Sequence, residues 1–104
     1  MNLKGGFHIS RIASHPYVMI TRKIEWEEQH IIEHESFLHL YPQKLTDDAN
    51  EFYFHEILDL SYKESPRSFG LLYVHTTRGL FPYKVRENPI EFIKVVEEKI
   101  KGMK

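Results

Sequence analysis

Apolar side chains return every three or four positions along NPIEFIKVVEEKIKG, residues 88–102. Ile90, Ile93, Val96 and Ile100 make a stripe that Phe92 and Val95 widen, a period that predicts an amphipathic α-helix over about residues 89–101 with one face buried. Both ends carry stop signals. Asn88 offers a side-chain acceptor at the N-cap, Pro89 suits the first helical position, and Glu91 stands where a capping box places its acid. Lys99 and Lys101 complement the negative end, and Gly102 closes it.

Upstream the period shortens to two. In FGLLYVHTTRGLFPYKV, residues 69–85, two aromatic and β-branched runs flank Thr76-Thr77-Arg78-Gly79. Gly79 can take the positive φ that closes a short turn, so a β-hairpin is predicted. Pro82 has no amide to give a ladder, and its strand should be an edge there or carry a bulge. HEILDLSYK, residues 55–63, places Leu58, Leu60 and Tyr62 on one face and Ile57, Asp59 and Ser61 on the other, with a turn at Ser65–Ser68.

The first half is patterned less sharply. GFHISRIA and YVMITRKIEW read as strands separated at Ser14-His15-Pro16, where proline should interrupt pairing. WEEQHIIEHESFLHLY, residues 26–41, fits either one helical face or two short strands. Thr46–Asn50 is a loop, and neither a repeat nor a domain linker interrupts the chain.

Short strands followed by one amphipathic helix make an α+β, mainly β, layout in a single domain over residues 1–104. Within the second half, Ile57, Asp59, Leu60, Phe69, Gly70, Leu72, Tyr73, His75, Thr76, Gly79, Pro89, Phe92 and Ile93 form a recognisable set. It resembles small bacterial pleckstrin-homology-like (PH-like) domains of the sublancin immunity protein type. The resemblance covers roughly half the chain and implies a strongly bent antiparallel sheet, a partly open seven-stranded barrel capped by the C-terminal helix. Several such relatives carry a membrane anchor, which this sequence is expected to lack.

Composition removes several functions. With no cysteine, disulfides, thiolate nucleophiles and cysteine-rich zinc sites are excluded. Lys+Arg 14 against Asp+Glu 15 gives no basic excess for nucleic acid, and the aromatics are numerous enough to be the core rather than a stacking surface. The opening residues lack a signal-peptide apolar core, and no run of about 18 apolar residues could span a bilayer. The expectation is a soluble, cytoplasmic protein.

Charge is uneven along the chain. Residues 25–56 hold nine acids and a single lysine, Lys44, whereas residues 57–86 hold the bases Lys63, Arg67, Arg78, Lys84 and Arg86 against Asp59 and Glu64. Such polarity can steer a partner or orient self-association. Arg67, Arg78, Lys84 and Arg86 together could meet anionic headgroups, each worth about 1 kcal/mol near a charged membrane. Lipid-binding pleckstrin domains place their bases around the first hairpin, where this chain offers Arg11, Arg22 and Lys23, with Glu25, Glu27 and Glu28 following at once.

His30, Glu33 and His34 spell H-x-x-E-H, the pattern of inverzincin metallopeptidases. Two imidazoles four apart converge on zinc only on a helix. On a strand they lie about 13 Å apart, so as a metal site the motif depends on residues 26–41 being helical. An acidic strand, with both imidazoles pointing the same way, is the expectation. With His39 and His55 these histidines make a conceivable pH-sensitive face. His75 precedes the hairpin turn, where Thr76 and Thr77 suit turn hydrogen bonding. No nucleophile elbow or phosphate loop is present, so neither catalysis nor a cofactor is expected.

The reading that results is a non-catalytic PH-like module for a protein or peptide partner, using an exposed strand edge or the hairpin rim. Its candidate contacts are His75, Arg78, Lys84, Arg86 and Arg67. Self-association through an edge strand, weak attachment to anionic membranes and a metal-dependent hydrolase at His30, Glu33 and His34 are the other classes.

Overall fold

Seven antiparallel strands precede one helix in the computed structural model, which describes residues 11–26, 28–66 and 68–103. The strands are β1 (Ala13–Glu25), β2 (Glu28–Leu40), β3 (Lys44–Thr46), β4 (Glu51–Tyr53), β5 (Ile57–Lys63), β6 (Gly70–Thr76) and β7 (Gly79–Val85), and the helix is α1 (Ile90–Met103). They hydrogen-bond in the order β4-β3-β2-β1-β7-β6-β5. With β4 and β5 left as edges, this is the α+β, mainly β, open barrel of PH-like architecture. The turn of 3-10 helix at Phe54–Glu56 joins the two edges, and α1 packs over it and over β5 and β1.

Alternation explains the core. Leu38, Leu40, Leu45, Phe52, Ile57, Leu72, Val74 and Val85 are buried and form one cluster with Phe92, Ile93, Val96 and Ile100 of the helix. Truncating a fully buried leucine such as Leu72 to alanine costs about 2–5 kcal/mol. The helical stripe is phased slightly differently from the sequence pattern. Pro89 is buried and Ile90 exposed, and Asn88 Oδ1 accepts the Ile90 amide at 2.9 Å where the helix begins. The helix also runs through Gly102, past its predicted stop.

The β6–β7 hairpin forms as the sequence predicts. Gly79 has φ 126°, and the Thr76 hydroxyl both accepts the Arg78 amide at 3.0 Å and donates to the Gly79 carbonyl at 2.9 Å. In β5 a bulge between Ile57 and Asp59 shifts the register. Ile57 therefore faces the core and Leu58 turns to solvent, the reverse of the simple alternation.

The first half departs most from expectation. Pro16 does not interrupt β1, which pairs with β2 without a break from Ala13↔Leu40 to Glu25↔Glu28. Proline is tolerated in a strand whose other side carries a single ladder pair, Val18↔Lys84. Residues 28–40 are neither a helix nor two strands but one strand of 13 residues. The residues before Arg11 in the predicted first strand lie outside the described residues.

The outer part of the β1–β2 hairpin leaves the body as an arm. Every described residue from Met19 to Glu35 is exposed. The molecule accordingly measures 51 × 37 × 25 Å, with a radius of gyration of 16.1 Å, against about 13 Å for a compact domain of this length.

Candidate functional site

Between β1 and β7 the barrel wall comes apart. Val18↔Lys84 is the single pair joining these strands. Two residues farther along, the same register would set Ile20 against Pro82, which has no amide to donate. Beyond that point the β1 edge from Met19 to Glu25 and the β7 edge from Gly79 to Phe81 face no ladder partner among the described residues. The sequence signalled this through Pro82, whose strand is paired on one side and open on the other.

At the fork lies a depression of ≈ 330 Å³ lined by Tyr17 to Ile20, Asp47 to Asn50, and Pro82 to Lys84. Its floor is a connected polar network. The Tyr83 hydroxyl donates to Asp47 Oδ2 at 2.7 Å, and Asp47 Oδ1 accepts the amides of Ala49 and Asn50 at 2.7 and 2.6 Å. Ser36 donates to Asp48 Oδ1, and the Asp48 amide donates to the Tyr17 hydroxyl at 3.2 Å. Tyr17 and Tyr83 meet edge to face, with centroids 5.0 Å apart.

These contacts set the local titration. Burial raises the Asp47 carboxyl, but hydrogen bonds from Tyr83, Asn50 and two backbone amides together outweigh it and hold Asp47 below its ordinary value. Burial first, then the Asp47 carboxylate, pushes the Tyr83 phenol up. A charged, rigid floor therefore lies under an apolar rail made by Met19 and Ile20, with the Lys84 side chain on the exposed rim. Chemically, the fork offers unpaired backbone donors and acceptors, an apolar strip and charge of both signs.

The candidate residues do not gather in one place. Arg67 lies outside the described residues. Arg78 donates to the Glu51 carbonyl at 2.6 Å, approaches Glu56 at 3.5 Å and covers the Phe52 ring. It latches the hairpin turn to β4 and the 3-10 turn. Arg86, about 27 Å away along β7, binds Glu33 at 2.7 Å and covers Phe69. His75 meets the Ser61 hydroxyl at 3.1 Å across the β5–β6 ladder. Of the named bases, Lys84 is the one at the fork.

His30 and His34 share one face of β2, four residues apart on extended backbone, with His30 Nε2 3.5 Å from Glu28. At about 13 Å separation they cannot share an ion within one chain. Glu33 points to the opposite face. His39 is also on that opposite face, where Arg11 donates to its Nδ1 at 3.3 Å and Ser14 lies 2.8 Å away. Burial, then the Arg11 charge, lowers the His39 imidazole more than Asp48 raises it. His55 stacks near Tyr53 in the 3-10 turn, so the four histidines form no common face.

The arm was not apparent from sequence. Its tip is Trp26, 97% exposed and held at φ 58°. Lys23 is 3.4 Å from Glu25 there, so this lysine is balanced by an acid. No protein-family model matches the chain, and no curated protein matches it.

Proposed function

We propose that this chain is a non-catalytic, cytoplasmic binding module of the PH-like family that takes an extended segment of a partner protein onto the open edge of β1, beside β7. The observation that carries this reading is the one-pair ladder between the two strands, ended by Pro82. An incoming strand completes the backbone hydrogen bonds that β7 does not, and alternate side chains of the incoming segment meet Met19 and Ile20. Lys84 at the rim favours a segment with a carboxylate near that end.

Two features support a peptide over a lipid surface. Arg78 and Arg86 are already bound by Glu51, Glu56 and Glu33, and Lys23 near the arm tip is paired with Glu25. Among the described residues no helix is long and apolar enough to cross a membrane.

The test is selection of peptides from a random library on the purified protein, followed by NMR titration of the best binder. Amide shifts should concentrate at Met19–Glu25 and Gly79–Lys84, and Lys84→Glu should weaken binding at least several-fold. Shifts confined to the β3–β4 side, or binding indifferent to both Lys84→Glu and Ile20→Asp, would count against this edge.

A further inference from the structure

The other side of the arm is open as well. β2 pairs with β3 only at His39 and Leu40, so among the described residues its outer edge from Glu28 to Leu38 has no strand beside it. A two-stranded arm is marginally stable in water, and a third strand secures it. A long, unpaired, partly apolar edge is also a template for another strand. What occupies it can be read from the sequence of the edge itself.

An antiparallel pair of identical strands related by a two-fold axis normal to the sheet sets residues of equal parity opposite each other. Centred on Ile32, this places Ile32 against Ile32, Ile31 against Glu33, Gln29 against Glu35 and Glu28 against Ser36. No carboxylate faces a carboxylate. Moving the centre to Glu33 stacks that acid on itself, and moving it to Ile31 shortens the overlap from residues 28–36 to residues 28–34. The Ile32 register therefore avoids like charges over the longest overlap, and it gives cross-strand neighbours to two isoleucines that are 65% and 37% exposed in the single chain.

In the same register His30 of each chain stands directly opposite His34 of the other. Opposed side chains on adjacent antiparallel strands have Cβ atoms about 4.5–5.5 Å apart, against the roughly 13 Å that separates these two residues along one strand. Imidazoles at that separation can converge on a metal at about 2.0–2.1 Å. Glu28, on the same face and 3.5 Å from His30, supplies an oxygen donor beside each pair. Among the described residues no three ligating groups meet within one chain, so each site is completed by the second copy.

We propose that two copies of this chain pair through β2 about Ile32, and that the two His30–His34 pairs so formed, each with Glu28, bind divalent transition-metal ions of the zinc type. H-x-x-x-H on this strand is a half-site, read by its own reverse. The ion and the strand ladder reinforce each other, because a ligand that binds the pair and not the single chain shifts association by mass action.

Sedimentation velocity of the purified protein in zinc sulfate, and again in excess chelator, tests the proposal. Zinc should convert monomer to dimer with about two ions per dimer, and chelator should reverse it. A protein that stays monomeric over all zinc concentrations, or dimerises identically in chelator, overturns it. His30→Ala and His34→Ala should each lose the zinc response while keeping the wild-type circular dichroism. Mixed in equal amounts, they should recover a dimer holding one ion, because one chain keeps His34 and the other His30. Absence of that rescue, or a full response in either variant alone, rejects the intermolecular site. Ile32→Lys leaves all ligands in place and should abolish the dimer at the same zinc concentration.

Discussion

The phenol of Tyr83 on β7 is hydrogen-bonded at 2.7 Å to the carboxylate of Asp47 in the β3–β4 turn, two residues brought together from opposite halves of the chain. The pair closes the floor of the fork where β1 leaves β7. Its titration has a definite sign. Asp47 is depressed in the fold, so its contribution is present above the ordinary carboxylate pKa of about 3.9 and is lost as pH falls through the lower folded value.

Tyr83 has the opposite sense. Its folded pKa is raised, so its contribution is whole below the ordinary phenol pKa of about 10 and declines as pH rises above it. Denaturant melts across pH should show a plateau with one acid and one alkaline limb. Tyr83→Phe should lower the plateau by roughly 1.5–3 kcal/mol, the range for a hydrogen bond to a charged group, and should flatten the alkaline limb. An unchanged alkaline limb in the variant would show that another group sets it.

Gly70 lies beneath Tyr62. A Cβ at Gly70 would come within 2.7 Å of the Tyr62 ring, and the ring is partly buried on the neighbouring strand. Gly70→Ala should destabilise the fold by about 1–3 kcal/mol, as overpacking does. In Tyr62→Ala the same substitution should cost little or even stabilise. Chemical denaturation of the four proteins in the cycle gives the coupling directly, and additive effects would remove the contact as the cause.

Arg86 fastens the base of the arm through Glu33 at 2.7 Å. Both side chains are about half exposed, so global stability should fall by no more than about 1 kcal/mol on Arg86→Ala. Local opening should respond more. Hydrogen exchange at Met19–Glu25 and Gln29–Glu33 is expected to accelerate several-fold while the β5–β6 amides keep their protection. Uniform acceleration over the whole sheet would place the effect in the core instead.

Trp26 holds φ 58° with its ring in solvent, a left-handed conformation that costs an L-residue about 1–2 kcal/mol. Trp26→Gly should stabilise the hairpin by up to about that amount, read as a higher midpoint in thermal melts. Trp26→Val should do the reverse, since a β-branched side chain tolerates this region worst. If both variants melt with the parent, the turn is not strained.

The sequence patterns most easily read were those with one dry face and one wet face. The α1 stripe and the β6–β7 hairpin carried that contrast, and Thr76, Gly79 and Pro82 marked their turn and edge by backbone chemistry alone. The arm was ambiguous for a physical reason. Period-two alternation records burial on one side of a sheet, and among the described residues from Met19 to Glu35 neither side is buried. His30 to His34 therefore fitted helix and strand equally well.

Proximity in sequence misled in a second way. Arg78 and Arg86 are close in number to Lys84, yet each is engaged at a different end of β7. Glu33, the partner of Arg86 from the other half of the chain, could be found only through the β1–β2 register. Leu58 was misplaced by a bulge, which inverts inside and outside after one residue and leaves no compositional mark.

Pro82 stops the wall of the barrel from closing because one hydrogen atom is missing from the backbone. That lack is covalent, so acid, salt and reductant leave it untouched. In the binding mode proposed above, regulation must act on the arriving segment or on the arm, while the gap beside Pro82 is permanent from the moment the chain is made.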